Sequence, residues 1–155
     1  PDHAPVCFML QRPFLPAGTL RAALCYPRPA TAFSTASLMR ALECAGVVWL
    51  AGRLDDADNW EHALPLRAQQ RLGFARVLLG QPAWVFMEEA TDAFDPKSEK
   101  LILEMLHREL PNSGIVTISF HPGLNSLYGR KITLSRLPEA RHLPERRQQP
   151  RVMVH

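Results

Sequence analysis

Hydrophobic residues occur in short blocks along most of the chain, and polar, proline or glycine residues separate these blocks. Three blocks, Val6 to Leu10, Ala83 to Met87 and Ile115 to Ser119, have almost no polar interruption. This pattern is typical of strands in a parallel sheet that is covered on both faces. It predicts three buried β-strands, and the block Lys131 to Leu134 predicts a last strand.

Other blocks repeat with helical spacing. The stretch "STASLMRALECAG" from position 34 predicts a helix with a hydroxyl cap at its start and a glycine at its end. A second helix is predicted from Leu66 to Leu79, and Asp95 followed by Pro96 predicts a third that ends near Leu110. A short helix is expected between Thr19 and Leu24. The segment "LDDADNWEHAL" is polar and acidic, and it predicts a loop.

Strands and helices in this alternating order predict an α/β layered domain with a parallel sheet. In such sheets functional groups collect beyond the carboxyl ends of the strands. Polar side chains follow three predicted strands at this point: Gln11, then Glu88 with Glu89, then His121. The sequence therefore predicts that these side chains meet at one edge of the sheet.

Composition excludes several classes of function. With 46% hydrophobic and 21% charged residues, the chain fits a globular protein, and no apolar run is long enough to cross a bilayer. The net charge of +3 arises entirely after Leu134, so a nucleic-acid partner is not expected, because that partner requires a basic face on the folded body. The three cysteines show no metal-ligand or disulfide spacing, and we expect reduced, mostly buried thiols. The three tryptophans are expected to pack in the core or in the helical subdomain rather than stack on a base.

Two adjacent carboxylates at the end of a strand suit phosphoryl transfer. One carboxylate can hold a metal ion while the other orients or deprotonates a water molecule. The alternative interpretation is that Glu88 and Glu89 form a solvated turn, and an acid pair alone favours that interpretation.

The order of four segments favours the chemical interpretation. The segments are "QRPFLPAGTLR" from Gln11, "QQRLGFARVLLGQP", "VFMEEATDAFD" and "TISFHPG". Together they resemble the second part of an ABC-transporter ATPase domain, over roughly Val6 to Leu137. The resemblance is greatest to fused permease–ATPase transporters of the bacterial type that are related to peroxisomal fatty-acyl transporters. It implies a partial P-loop NTPase fold with a helical subdomain at about 17–80 within a domain at 1–137. Residues 138–155, rich in arginine and proline, predict a disordered tail.

The resemblance also implies roles for individual residues. Gln11 occupies the position of the Q-loop glutamine, which senses metal and nucleotide and faces the membrane domains. Glu88 occupies the Walker B position that holds Mg²⁺, and Glu89 that of the catalytic general base. Asp95 ends a D-loop that contacts the partner subunit, and His121 falls on the switch histidine that contacts the γ-phosphate. The signature motif, which binds ATP held by the opposite subunit, corresponds to Leu64, Pro65, Leu66, Arg67, Ala68 and Gln69. Gln69, Gln70 and Arg71 are expected to begin the following helix, with structural and interface roles.

Three departures from the family pattern affect the expected activity. No GxxxxGK[ST] segment is present, so we expect the chain to be a truncated domain that binds little ATP by itself. Pro65 and Arg67 stand where the family has serine and glycine, which removes a hydroxyl and adds bulk near a phosphate. Glu88 replaces an aspartate, and its extra methylene moves the carboxylate by about 1.5 Å. Since Mg²⁺ requires near-ideal octahedral geometry, this change weakens a metal site without abolishing it.

The resemblance thus implies ATP and Mg²⁺ as cofactors, and a transmembrane permease domain and a second ATPase domain as partners. It also implies a location at the cytoplasmic face of an inner or plasma membrane. The leading hypothesis is a fragment of an ATPase domain that couples ATP hydrolysis to transport. The alternative is a catalytically silent ABC-ATPase-like module that acts in dimerisation or regulation, which Pro65, Arg67 and Glu88 favour.

Overall fold

A computed structural model describes residues 5–118, 128–130 and 132. Its main sheet has three parallel strands, β1 (Val6–Leu10), β4 (Trp84–Glu88) and β5 (Gly114–Ile118), in the order β1-β4-β5. Leu10 pairs with Glu88, and Glu88 pairs with Ile118, so the three carboxyl ends lie side by side. The three predicted strands are confirmed within one residue at each end. The predicted strand Lys131 to Leu134 and the tail 138–155 lie outside the described residues, apart from Ile132.

The chain between β1 and β4 forms a helical layer with its own small sheet. The elements are β2 (Gly18–Thr19), α1 (Leu20–Cys25), α2 (Thr35–Cys44), a 3₁₀ helix (Val48–Arg53), β3 (Ala57–Asp58), α3 (Trp60–Ala63) and α4 (Leu66–Gly80). Strands β2 and β3 pair antiparallel. After β4, α5 (Pro96–Glu109) leads to β5. The proposed limits of the helical subdomain, 17–80, and of the whole domain, 1–137, stay predictions.

Local sequence signals place the helix starts. Ser34 accepts a hydrogen bond from the backbone N–H of Ser37 at 3.1 Å, which caps α2 as predicted. Asp95 caps α5 in the same way, with Pro96 at the first helical position. Thr19 caps α1. The four predicted helices are confirmed, and their ends differ from the structure by only one or two residues.

The core lies between the main sheet and the helices. Met9, Val85 and Met87 point to the covered face of the sheet, where each is less than 5% exposed. Gly73 of α4 lies against β1, since a Cβ at this position would come within 3.0 Å of the Met9 side chain. The absence of a side chain at Gly73 thus allows α4 to approach the strand that carries Gln11.

The opposite face of the sheet is open among the described residues, contrary to the prediction that both faces are covered. Side chains alternate along a strand, so the same run of apolar residues supplies both faces. Phe8 stacks on Phe86 with 5.2 Å between ring centroids, and Trp84 lies 6.3 Å from Phe86. We call this surface the open face; it comprises Val6, Phe8, Leu10, Trp84, Phe86, Val116 and Ile118.

Two further expectations are wrong in part. The segment predicted as a loop contains β3 and α3. Trp60 explains the difference, because its indole is fully buried and its Nε1–H donates to the Gly18 carbonyl at 2.8 Å. This contact fixes the segment on β2 despite its polar composition. Trp60 is a core residue as expected, but Trp49 and Trp84 are 57% and 46% exposed.

Candidate functional site

Gln11 follows β1 directly and lies beside the end of β4. Its side-chain Nε2 donates to Oδ2 of Asp92 at 3.2 Å. Its backbone carbonyl accepts a hydrogen bond of 2.9 Å from Nε2 of Gln70, a fully buried residue of α4. Gln11 is therefore in contact with the turn after β4 through its side chain and with α4 through its main chain.

Glu88 and Glu89 lie where β4 ends. Glu88 is the last strand residue and projects on the open face, flanked by its register partners Leu10 and Ile118. Glu89 adopts a left-handed backbone conformation with φ of 49°, which is uncommon for a residue other than glycine and costs about 1–2 kcal/mol. Its N–H donates to the Ile118 carbonyl at 3.2 Å, and its own carbonyl accepts from the N–H of Asp92 at 3.2 Å. The chain thus leaves the sheet in a tight turn at Glu89.

The turn after Glu89 is anchored in the interior by a buried pair. The hydroxyl of Thr91 donates to Oε1 of Glu99 at 2.6 Å, and these side chains belong to residues that are 4% and 1% exposed. Phe94 closes the turn, with its N–H donating to the Thr91 carbonyl at 2.9 Å. A buried hydrogen bond to a carboxylate is among the stronger polar contacts in proteins, so this pair fixes the turn against α5.

Asp95 ends this turn and caps α5. The backbone N–H and the hydroxyl of Ser98 donate to its carboxylate at 2.9 and 2.7 Å. Oδ2 of Asp95 also accepts from Nη2 of Arg67 at 3.1 Å. The Ser98 hydrogen bonds, together with the Arg67 charge, lower the pKa of Asp95 to about 2.

The predicted signature segment begins α4. Leu64 is buried at the end of α3, and Pro65 occupies the N-cap position of α4 with no side-chain hydrogen bond. Leu66 and Gln69 are half-buried, Ala68 is buried, and Arg67 is exposed. Nε2 of Gln69 donates to the carbonyls of Glu61 and Leu64, which joins α4 to α3. The helix start therefore presents no hydroxyl, as predicted from Pro65.

Arg67 contacts the turn that precedes α5 and the first turn of that helix. Besides Asp95, its Nη2 donates to Oγ of Ser98 at 2.6 Å. Its guanidinium carbon lies 5.3 Å from the ring centroid of Phe94, and that of Arg71 lies 5.0 Å from the same centroid. Phe94 is thus in contact with two guanidinium groups of α4. The Arg67 guanidinium is therefore engaged by side chains of this same chain.

The described site residues fall into two groups. Gln11, Glu88 and Glu89 lie at neighbouring strand ends, and the Asp95 turn contacts α4. His121 lies outside the described residues. Thr91, Asp92 and Phe94 lie in the segment "TDAFD" that the sequence singles out, but their contacts were not predicted. Those contacts are with Glu99, Gln11 and the α4 arginines, and no motif signals them. The sequence predicts a structural role for Gln70, but it does not indicate that the side chain of Gln70 binds Gln11.

The side chains at the edge of the sheet could provide some of the oxygen ligands that Mg²⁺ requires. Among residues 5–118, 128–130 and 132, no group of three or more histidine, cysteine, aspartate or glutamate side chains could hold a metal ion. Mg²⁺ usually takes only one or two protein ligands and completes its shell with water and phosphate oxygens. A carboxylate at Glu88 and an amide oxygen at Gln11 match that requirement.

The described part of the chain also contains no helix able to cross a membrane.

The comparisons with known proteins agree with this geometry. No protein-family profile matches the chain. It is 34% identical over 127 residues to an uncharacterized ABC transporter ATP-binding protein of Haemophilus influenzae, covering 82% of this chain and 22% of that protein. It is 32% identical over 143 residues to ABC transporter D family member 2, chloroplastic, of Arabidopsis thaliana, covering 74% and 20%. The chain spans about a fifth of the length of these curated relatives.

A solved structure supports the fold. The chain superposes on a bacterial Atm1-family ABC exporter with ATP bound, with a TM-score of 0.65 and 22% identity, over 75% of this chain and 21% of that one. The parallel sheet and its helical layer thus have the fold of part of an ABC-type ATPase domain. More narrowly, the chain belongs to the ABC transporter family and corresponds to a C-terminal part of its ATP-binding domain.

Proposed function

We propose that the chain supplies the hydrolytic edge of an ATPase domain that powers an ABC transporter. The observation that carries this proposal is the adjacency of Gln11 and Glu88 at paired strand ends, with Glu89 next in the chain. In this proposal the P-loop comes from a polypeptide segment that this sequence does not contain. The D-loop turn and the start of α4 face a second ATPase domain, and Gln11 lies toward a permease domain at the cytoplasmic face of the membrane.

Each residue has a defined task in the proposed reaction. Water attacks the γ-phosphorus of ATP, so that a new P–O bond forms while the bond to the bridging oxygen breaks and releases ADP. Glu89, which follows β4 in a left-handed backbone conformation, accepts a proton from that water. Glu88 and Gln11 would hold Mg²⁺, which would supply neutralisation of the phosphate charge. His121 contacts the γ-phosphate, a role that rests on the sequence resemblance.

A chimera tests this proposal. The matching segment of the Haemophilus influenzae relative is replaced by this chain's residues, so that the relative supplies the rest of the transporter. Because a general base contributes about 10²–10⁴-fold to rate, Glu89→Gln should lower ATP turnover of the chimera by at least about 100-fold. Glu104→Gln, a change at an exposed glutamate of α5, is the matched control and should leave turnover unchanged. A Glu89→Gln chimera that binds and hydrolyses ATP as well as the unsubstituted chimera would refute the proposal.

A second candidate function is a silent module that dimerises or regulates without hydrolysis. The contact of Arg67 with Asp95 and Ser98 favours it, because this cation is engaged within the chain where the family presents glycine to a partner's phosphate. The same chimera distinguishes the two candidates. ATP binding with turnover no higher than that of the Glu89→Gln variant supports the silent module. If the double change Pro65→Ser with Arg67→Gly restores ATP turnover, the signature segment is the cause of the lost hydrolysis.

A further inference from the structure

The amide of Gln11 has two ends with different chemistry, and only one of them has a partner among the described residues. Nε2 donates to Asp92 at 3.2 Å, whereas no donor of the described chain reaches Oε1. An ionised carboxylate has no hydrogen to donate, so it can face only the NH₂ end of an amide. The pairing therefore fixes which end of Gln11 is engaged and leaves the amide oxygen free.

The main chain of Gln11 is held separately. Gln70 donates to the Gln11 carbonyl at 2.9 Å from a fully buried position on α4. The approach of α4 to β1 at Gly73 keeps this helix close to the strand. The hydrogen bond to α4 fixes the position of the Gln11 backbone. The hydrogen bond to Asp92 then determines the orientation of its side-chain amide.

Asp92 itself is fixed by the turn after β4. Its N–H donates to the carbonyl of Glu89 at 3.2 Å, and the preceding residue, Thr91, is bonded to buried Glu99 at 2.6 Å. The exposed carboxylate of Asp92 is therefore carried on an anchored backbone next to the proposed general base.

We propose that Asp92 is a positioning residue for Gln11, which holds the amide NH₂ so that the amide oxygen is the group presented to the metal-bearing edge. Its connection to metal binding rests on the proposed function. The hydrogen bond itself is a property of the chain alone and is tested without nucleotide or metal.

The first experiment is NMR spectroscopy of the side-chain amides in the ¹⁵N-labelled chain. Asp92→Ala should shift the Gln11 NH₂ resonances toward free-amide values and raise their hydrogen-exchange rate by about threefold or more, since one hydrogen bond to a charged group is lost. Asp92→Asn keeps an acceptor oxygen and should retain part of the protection. Asp58→Ala removes an exposed carboxylate of β3 and should leave these resonances unchanged. Gln11 signals that do not respond to Asp92→Ala, in a chain with an otherwise unchanged spectrum, would overturn the proposal.

The second experiment measures function in the chimera. Asp92→Ala should raise the Mg²⁺ concentration that gives half-maximal ATP turnover by about threefold, with a smaller change in turnover at saturating Mg²⁺. Asp92→Asn should rescue part of this effect. If Glu89→Gln leaves turnover intact, the proposed function fails. If Glu89→Gln abolishes turnover but Asp92→Ala changes neither the Mg²⁺ requirement nor the Gln11 resonances, only the positioning role fails.

Discussion

Asp95 shows how one side chain serves two neighbouring elements. Its carboxylate caps α5 through Ser98 and accepts a hydrogen bond from Arg67 of α4. Each donor stabilises the ionised form, which is the reason that the pKa of Asp95 falls to about 2 from an ordinary value of 3.8. The charge on Asp95 therefore contributes to the stability of the α4–α5 contact.

The sign of the resulting pH dependence follows from the direction of this shift. The folded-state pKa of Asp95 is lowered, so its stabilising effect is present above the unfolded value of 3.8 and is lost as the pH falls toward about 2. Asparagine caps helices as well as aspartate does, so Asp95→Asn isolates the charge. We expect the wild-type chain to resist urea better than Asp95→Asn at pH 6, and the two midpoints to converge between pH 4 and 2. A difference that is independent of pH over this range would contradict the assignment.

At the scale of elements, α4 connects the helical layer to the sheet through polar side chains. Gln70 binds the carbonyl of Gln11, and Arg71 binds that of Ala45. Gly46, with φ of 73°, ends α2 and makes room for this arginine, because a Cβ there would overlap the Arg71 guanidinium. Helix α4 is thus held by contacts to backbone carbonyls at the ends of β1 and α2.

Arg76 extends these connections to α1. Its Nε donates to the Ala23 carbonyl and its Nη1 to the Phe14 carbonyl, both at 2.7 Å, and burial lowers the pKa of the guanidinium to about 10. Arg76→Met keeps the aliphatic length and removes both hydrogen bonds. We expect a loss of about 2 kcal/mol in the free energy of unfolding, since two carbonyls lose charged donors. Denaturant unfolding measures this loss.

Arg108→Met is the control for the loss of an arginine. The Arg108 side chain is 68% exposed on α5, and we expect this change to alter stability by less than about 0.5 kcal/mol. Equal stability of the Arg76→Met and Arg108→Met variants would show that the carbonyl contacts of Arg76 contribute nothing.

The sequence predicts a helix or strand well where neighbouring residues determine it. Asp95 followed by Pro96 predicts the start of α5 because both preferences act within one helical turn. The apolar run from Ala83 to Met87 predicts β4 from local sequence as well, since it requires no distant partner to be identified. By contrast, β3 and α3 depend on the burial of Trp60 against Gly18, which is 42 positions away in sequence. The bond between Gln11 and Asp92 joins residues 81 positions apart, and neither residue type signals the other.

At the scale of the whole molecule, the open face is the main feature that distinguishes the described part of the chain from a closed domain. Phe8 is 72% exposed in the middle of a contiguous apolar surface. Surfaces of this kind usually mark a contact with other polypeptide or lead to association. The main sheet thus presents one packed face and one face on which apolar side chains meet solvent.

This face predicts a measurable property of the isolated chain. A hydrophobic fluorescent dye should bind it, and Phe8→Ser with Trp84→Ser should lower the dye signal by about half, since these are two of the largest side chains on the surface. Trp49→Ser is the matched control, because Trp49 is similarly exposed but lies in the 3₁₀ helix. A dye signal that falls as much with Trp49→Ser as with the double variant would place the binding elsewhere.

The three tryptophans also provide the chain with built-in optical reporters. Trp60 is fully buried within the helical layer, Trp84 lies on the sheet and Trp49 is in contact with solvent. Emission from a buried indole is shifted to the blue and resists collisional quenchers, whereas exposed indoles emit at longer wavelength. The blue component therefore comes from Trp60, and its loss alone would reveal the helical layer opening around Trp60 while the strands stay paired.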